Sequence, residues 1–175
     1  MKIILIGYMG SGKSTLAKQL AMELNLPFED LDSYIEKQEN MSIKEIFKQK
    51  GEIYFRLQES LYLKELLNQH ADMVLALGGG TPCYADNMEQ ITKKALSFYL
   101  KGSIKTLCMR LKSEKKQRPL IASLNDGQLT EFVAKHLFER RNFYEQATIM
   151  INIDHKTINK LLEELLETIK KDYSK

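Results

Sequence analysis

A glycine-rich stretch near the start of the chain, GYMGSGKST at 7–15, combines residue types that can hold a phosphate. It fits the pattern G-x-x-x-x-G-K-[ST], with Gly7, Gly12, Lys13 and Ser14 in the fixed places. Glycines permit a loop whose backbone N–H groups surround an anion, and the N-terminus of the following helix adds partial positive charge. In this pattern the lysine reaches the β- and γ-phosphates and the serine hydroxyl binds Mg²⁺. The stretch predicts a nucleoside triphosphate site, and a plain glycine-rich turn is the alternative.

Two aspartates, Asp30 and Asp32, lie two positions apart in the segment EDLDSYIE. On an extended chain such residues point the same way, and like charges repel unless a cation or hydrogen-bond donors hold them. Beside a nucleotide carrying Mg²⁺, one carboxylate can serve the metal and the other an acceptor hydroxyl. The alternative is that Asp32 caps a short helix over 33–38.

A second glycine run, Gly78, Gly79 and Gly80 in LALGGGTP, follows another apolar segment. Such a run lets a ligand approach the main chain closely and offers backbone N–H donors. A flexible turn is the alternative. Two such loops after neighbouring strands favour the functional interpretation.

Arginine is rare in this chain, since only five of the 26 basic residues are arginine: 56, 110, 118, 140 and 141. Where lysine supplies general positive charge, an arginine suggests planar, two-pronged binding of an anion. Arg118, in a polar segment, would neutralise charge at the γ-phosphate. Arg56 and Arg140 suit a substrate that is itself anionic, such as a carboxylate. Together with the aspartates, they predict a small hydroxylated carboxylic acid as the phosphate acceptor.

The elements that must position these residues alternate between strands and helices. We predict strands at 2–6, 28–31, 73–77, 97–100 and 148–153, and helices at 13–24, 42–68, 86–94, 104–111, 127–146 and 158–173. This alternation indicates an α/β fold, a parallel sheet with helices on both faces, in one domain spanning 1–175. The polar segment 113–126 is the most loop-like, so we expect a lid at about 112–126. Ligands of such sheets bind at the carboxyl ends of the strands.

The chain resembles the shikimate kinase family over nearly its whole length. The resemblance runs from the phosphate loop through DLDSYIE, GEIYFR, LGGG and RPL to RRNFY. It implies the P-loop fold of the nucleoside monophosphate kinases, with a five-stranded parallel sheet of order 2-3-1-4-5 and a mobile lid. It also implies transfer of the ATP γ-phosphate to the 3-hydroxyl of shikimate, giving ADP and shikimate 3-phosphate on the route to chorismate and the aromatic amino acids.

The resemblance also implies roles for individual residues, with a substrate-binding helical region at about 33–60. It assigns Gly10, Ser11, Gly12, Lys13, Ser14, Thr15 and Arg118 to the nucleotide, Asp32, Arg56, Gly78, Gly79, Gly80 and Arg140 to shikimate, and Ser14 and Asp30 to one Mg²⁺ ion. Lys13, Asp32 and Arg118 are the implied catalytic residues. Lys13 would stabilise the transferring phosphoryl group, Asp32 would accept from the reacting hydroxyl, and Arg118 would move in with the lid. Of the adjacent arginines in ERRNFYE, the family spacing of four residues before the tyrosine selects Arg140 over Arg141.

Three positions depart from the family pattern. Asn142 stands where the family has a proline after its second substrate arginine, and Leu111 occupies the place of an arginine that stacks on adenine. A proline near adenine is missing from NIDHKTIN. Because two of these positions belong to the adenine site, the sequence assigns no residues to the base.

The composition excludes several other classes of protein. A net charge of +3 with scattered lysines does not favour nucleic acid binding, and no apolar run approaches the roughly 20 residues of a membrane span. Two cysteines, Cys83 and Cys108, fit a reducing cytoplasm, and the histidines have no metal-ligand spacing. We therefore expect a cytoplasmic monomer that binds ATP or ADP and shikimate. A gluconate- or adenylate-type kinase and a non-catalytic nucleotide-binding module are the alternatives.

Overall fold

Strands and helices alternate along the chain in the computed structural model, which describes residues 1–69, 71–115 and 120–173. The strands are β1 (Lys2–Ile6), β2 (Phe28–Asp30), β3 (Met73–Ala76), β4 (Leu96–Lys101) and β5 (Ile149–Asn152). The helices are α1 (Lys13–Leu24), α2 (Leu31–Glu39), α3 (Ile43–Asn68), α4 (Asn87–Lys94), α5 (Ile104–Glu114), α6 (Asp126–Tyr144) and α7 (Ile158–Tyr173), and a 3₁₀ turn covers Thr81–Cys83.

The five strands form one sheet in the order β2-β3-β1-β4-β5, and every neighbouring pair is parallel. This confirms the predicted fold class. The central strand β1 is buried throughout Ile3, Ile4, Leu5 and Ile6, as expected when helices cover both faces of a parallel sheet. Because the strands are parallel, the loops after β1, β2 and β3 leave the same edge of the sheet.

The second strand is shorter than predicted, and this changes the setting of the two aspartates. It ends at Asp30, and α2 begins directly at Leu31, whose side chain is buried together with that of Ile35. Burying these apolar residues on one face favours a helix where the sequence suggested that the strand continues. Asp32 therefore lies in the first turn of α2, and the expectation that the two aspartates point the same way along an extended chain is wrong.

The third helix is interrupted by a kink that the sequence did not predict. At Gly51 the backbone has φ 84° and ψ 171°, which is not helical and which a residue with a side chain rarely adopts. Glu39 of α2 holds both sides of the kink, because its carboxylate accepts hydrogen bonds from Lys50 and from Tyr54 at 2.9 and 2.8 Å. The part of α3 after the kink carries Arg56.

The predicted lid at about 112–126 is only partly described. Helix α5 extends to Glu114, three residues further than predicted, and α6 begins at Asp126. Arg118 lies outside the described residues, so its predicted role stays a prediction. Among the helices that the structure describes, none is both long enough and apolar enough to cross a membrane.

Candidate active site

The loop between β1 and α1 has the geometry that phosphate binding needs. Gly12, at φ 88°, is the N-cap of α1 and has no side chain with which to cap it. A bound anion can therefore take the place of a capping side chain at the positive end of this helix. Gly7, at φ 148°, is required for space as well, because a Cβ there would lie 2.9 Å from the carbonyl oxygen of Leu100.

Lys13 and Ser14 begin α1 and face different partners. The Lys13 side chain is nearly buried, and its Nζ donates to the carbonyl oxygen of Tyr8 at 2.9 Å and to Ser11 Oγ at 3.5 Å. The amine thus lies along the phosphate loop itself. Ser14 Oγ donates to Asp30 Oδ2 at 2.7 Å, which brings the loop after β1 against the end of β2.

The cap of α2 is Asp30, which corrects the alternative considered for Asp32. Asp30 Oδ1 accepts from the backbone N–H of Asp32 at 3.1 Å and from that of Ser33 at 3.4 Å. Asp30 has the extended backbone typical of an N-cap, with φ −110° and ψ 122°. Since Asp30 caps the helix, the Asp32 carboxylate remains available for another role.

The proton affinity of Asp32 is unusual for an aspartate. Burial raises the pKa of its carboxyl to about 6, and the nearby carboxylates of Asp30 and Glu59 contribute to the rise. Lys13 and Arg56 oppose it, because positive charge favours the ionised form. A carboxylate with a pKa just below neutrality is ionised at pH 7 and accepts a proton more readily than an ordinary aspartate does.

The glycine run after β3 lies directly against the two predicted substrate arginines. A Cβ on Gly80 would lie 2.8 Å from both terminal nitrogens of Arg56, and one on Gly79 would lie 3.6 Å from Nη1 of Arg140. Gly78 approaches Asp32 in the same way, since its Cβ would lie 3.0 Å from Oδ1. None of these three glycines has a positive φ, so close approach and not backbone strain explains the residue type.

The two adjacent arginines of α6 have different surroundings. Arg140 is partly buried, and its guanidinium carbon lies 5.8 Å from the centre of the Tyr8 ring. Arg141 has 62% of its side chain exposed, and its Nε donates to Glu145 Oε1 at 2.8 Å on the surface. The structure therefore places Arg140 against the glycine run and Arg141 away from it.

Four residues of the site were not identified from the sequence. Glu59 is 1% exposed and accepts from Arg56 Nη1 at 2.8 Å; its spacing of three residues from Arg56 on a helix was the available signal. Thr81 and Tyr144 hydrogen-bond to other parts of the site over long sequence separations, which a single sequence does not reveal. Arg110 Nη1 donates to the carbonyl oxygen of Ser11 at 3.1 Å, whereas the neighbouring position that the family pattern singles out, Leu111, is fully buried.

These loops enclose a cleft of about 590 Å³. Its lining includes the phosphate loop, Asp30, Asp32, Gly78, Gly79, Arg110 and the segment 156–158. Arg56 and Arg140 are not among the lining residues and contact the glycine run instead. The cleft thus joins a phosphate site to a buried carboxylate. Within the part of the chain that the structure describes, no cluster of three or more His, Cys, Asp or Glu residues is arranged to hold a metal by itself.

Comparisons with known proteins identify relatives over nearly the whole chain. A sequence model of the shikimate kinase family matches residues 9–170. The shikimate kinase of Flavobacterium johnsoniae is 47% identical over 169 residues, which cover 96% of this chain and 98% of that protein.

Solved structures agree as well. The shikimate kinase of Bacteroides thetaiotaomicron superposes with a TM-score of 0.89 at 36% identity, covering 97% of this chain and 98% of that one. The shikimate kinase of Acinetobacter baumannii, solved in complex with shikimate, gives a TM-score of 0.87 at 31% identity, covering 99% and 95%. With a family match over most of its length and relatives of this identity, the chain belongs to the shikimate kinase family.

Proposed function

We propose that the cleft between the phosphate loop and the glycine run is where this kinase transfers the γ-phosphoryl group of ATP to the 3-hydroxyl of shikimate. The products are ADP and shikimate 3-phosphate, an intermediate on the way to chorismate and the aromatic amino acids. The observation that carries the proposal is the position of one buried carboxylate, Asp32, between Lys13 on one side and the glycines that contact Arg56 and Arg140 on the other.

The nucleotide end of the proposed site is the phosphate loop. Gly10, Ser11, Gly12 and Thr15 lie in the loop and the first turn of α1, where backbone N–H groups would surround the phosphates. Lys13 would stabilise the charge that develops on the transferring phosphoryl group. Arg118, which lies outside the described residues, would add a second positive charge from the lid.

Ser14 and Asp30 would hold one Mg²⁺ ion with the nucleotide. Their side chains are hard oxygen donors that already contact each other, and Mg²⁺ in kinase sites takes few protein ligands, with phosphate and water supplying the rest. The ion, when bound, neutralises phosphate charge.

The acceptor end of the proposed site binds an acid and orients a hydroxyl. Arg56 and Arg140 would bind the shikimate carboxylate, and the backbone of the glycine run would allow the ring to approach closely. Asp32 would accept a hydrogen bond from the 3-hydroxyl and take up its proton during transfer. Because residues of one chain form the described lining of this cleft, we propose that the enzyme acts as a monomer. Its two free cysteines fit the reducing cytoplasm, where we propose that it acts.

Arg140→Lys tests the acceptor end. Removing a two-pronged ion pair from a partly buried site costs on the order of 2–5 kcal/mol, so the KM for shikimate should rise at least thirty-fold while the KM for ATP stays within about two-fold. Steady-state kinetics with each substrate varied in turn measures both constants.

Arg141→Lys is the matched control for that variant. Its exposed ion pair with Glu145 is worth about 1 kcal/mol or less, so neither KM should change appreciably. An Arg141 variant that loses shikimate affinity while the Arg140 variant keeps it would mean that the acceptor carboxylate lies elsewhere.

A further inference from the structure

We propose that the hydroxyl groups of Thr81 and Tyr144 are positioning groups for the acceptor carboxylate, because each one fixes one substrate arginine relative to the glycine run. The inference rests on the proposed function, in which Arg56 and Arg140 bind that carboxylate. Both hydroxyls belong to fully buried residues: Thr81 directly follows the run in the chain, and Tyr144 lies on α6 and bonds to Gly79.

Thr81 acts on Arg56 through a buried carboxylate. The Thr81 hydroxyl donates to Glu59 Oε1 at 2.5 Å, while the other oxygen of Glu59 accepts from Arg56 Nη1 at 2.8 Å. Because Glu59 is 1% exposed, water does not replace a missing donor there. Without the hydroxyl, the carboxylate would keep only one of its two anchors and would hold the guanidinium less firmly.

Thr81 itself is held firmly enough to serve as an anchor. Its carbonyl oxygen accepts from Asn87 Nδ2 at 2.9 Å, and its backbone N–H donates to the carbonyl oxygen of Gly78 at 3.2 Å. Gly80 lies against the Arg56 guanidinium. Arg56 is therefore held between Glu59 and Gly80, and both of these contacts depend on the position of Thr81.

Tyr144 has the equivalent role for Arg140. Its hydroxyl donates to the carbonyl oxygen of Gly79 at 2.5 Å, and Gly79 in turn lies against Arg140, since a Cβ there would lie 3.6 Å from Arg140 Nη1. The ring packs on Tyr99 with 5.1 Å between ring centres, which fixes its direction. Burial raises the pKa of the Tyr144 phenol, so the hydroxyl remains a donor at any working pH.

The consequence is that one short loop sets the position of both arginines. A carboxylate that is bound by two guanidinium groups needs them at a fixed separation and orientation, and errors of about 1 Å are costly. Thr81 ties the loop to α3 through Glu59, and Tyr144 ties it to α6, so two different helices anchor it. Each hydroxyl therefore contributes to shikimate affinity without touching shikimate.

Thr81→Val and Tyr144→Phe test the inference, because each removes one oxygen and keeps the shape of the side chain. Each should raise the KM for shikimate about ten-fold, and leave the KM for ATP within about two-fold. Thr81→Ser, which keeps the hydroxyl, should restore the wild-type KM for shikimate. Calorimetric titration with shikimate should show the same losses in affinity, and thermal unfolding identifies the variants that are folded.

Matched controls remove buried or half-buried hydroxyls elsewhere. Thr106→Val removes a buried hydroxyl that bonds with Ser103 at the start of α5, and Tyr62→Phe removes one that donates to Glu39. Neither should change the KM for shikimate by more than about two-fold. A double-mutant cycle tests whether Thr81 acts through Arg56. Thr81→Val should change the KM for shikimate little further in an Arg56→Ala background, but should have its full effect in an Arg140→Lys background.

The inference is overturned if folded Thr81→Val and Tyr144→Phe bind shikimate like the wild type, or if they weaken ATP and shikimate equally. If Thr81→Val does not fold, Tyr144→Phe decides the matter by the same two KM values. A different pattern marks failure of the proposed function: the wild-type chain does not phosphorylate shikimate, or Arg56→Ala and Arg140→Lys leave its KM unchanged.

Discussion

Lys13→Ala should lower kcat by about 10³-fold while the protein remains folded. The expected size is that of removing one charge that stabilises a transition state. Lys13 lies along the phosphate loop with its amine on the Tyr8 carbonyl, and its side chain is not part of the apolar core. Turnover at saturating ATP and shikimate, with thermal unfolding of the same preparation, measures both effects.

Lys18→Ala is the matched control, since Lys18 lies on the same helix with its side chain exposed. It should keep wild-type kcat and wild-type stability. Near-normal turnover in a folded Lys13→Ala variant would remove this lysine from phosphoryl transfer and would contradict the proposed nucleotide end of the cleft.

Asp32→Asn should lower kcat by roughly 10² to 10⁴-fold, the usual range for loss of a general base, and should leave ATP affinity nearly unchanged. Asparagine keeps the size of the side chain but cannot take up the proton of the acceptor hydroxyl. Asp72→Asn, at the opposite end of β3 from the site, is the control and should have normal kcat. An Asp32→Asn variant with normal turnover would show that the carboxylate is not the base.

The raised pKa of Asp32 also predicts how the stability of the wild type and of Asp32→Asn should depend on pH. In the folded protein without nucleotide and metal this pKa is about 6, so the stability of that form depends on the ionisation of the carboxyl. In the unfolded chain the pKa is about 3.9, so ionisation of Asp32 costs the wild type stability as pH rises from about 4 to 6.

Asp32→Asn has no carboxyl to ionise and carries no such cost. The difference in unfolding free energy between this variant and the wild type should therefore depend on pH. Asp32→Asn should be more stable than the wild type at pH 7, by on the order of 1–3 kcal/mol, and about equal to it near pH 4. Denaturant unfolding at the two pH values measures the difference. A difference that does not change with pH would mean that Asp32 is not buried as the structure places it.

The phosphate loop could be identified from the sequence because the residues that define it are close together in the chain. The spacing of Gly7, Gly12, Lys13 and Ser14 fixes a local conformation, and the flanking strand and helix show clear apolar patterns. The strand order came from the family resemblance, and the structure agrees with it. Periodicity alone indicates only that the sheet is parallel.

The start of α2 and the kink in α3 were not predicted, and in both places the sequence signal is short. The strand β2 has only three residues, Phe28–Asp30, which is too short a pattern to reveal that the helix starts at Leu31 and that Asp30 is its cap. The kink at Gly51 was missed because a single glycine inside a helical pattern is often tolerated. In this chain the contacts of Glu39 with residues on both sides of the glycine accompany the break.

Long-range pairing explains what was missed in the acceptor site. Thr81 meets Glu59 across 22 positions and Tyr144 meets Gly79 across 65. No periodicity within one segment reports such contacts, and each residue type is ordinary in its own segment. Only the folded sheet, which brings the end of β3 beside α3 and α6, makes the pairings visible.

The most direct test of the central claim is to identify the product that the purified chain forms from ATP in the presence of shikimate. ADP formation should depend on shikimate, should not occur with gluconate or without an acceptor, and should yield one product with phosphate on the 3-hydroxyl, as assigned by phosphorus and proton NMR. ATP hydrolysis that is independent of the acceptor, equal turnover of gluconate, or phosphate on a different hydroxyl would contradict the account.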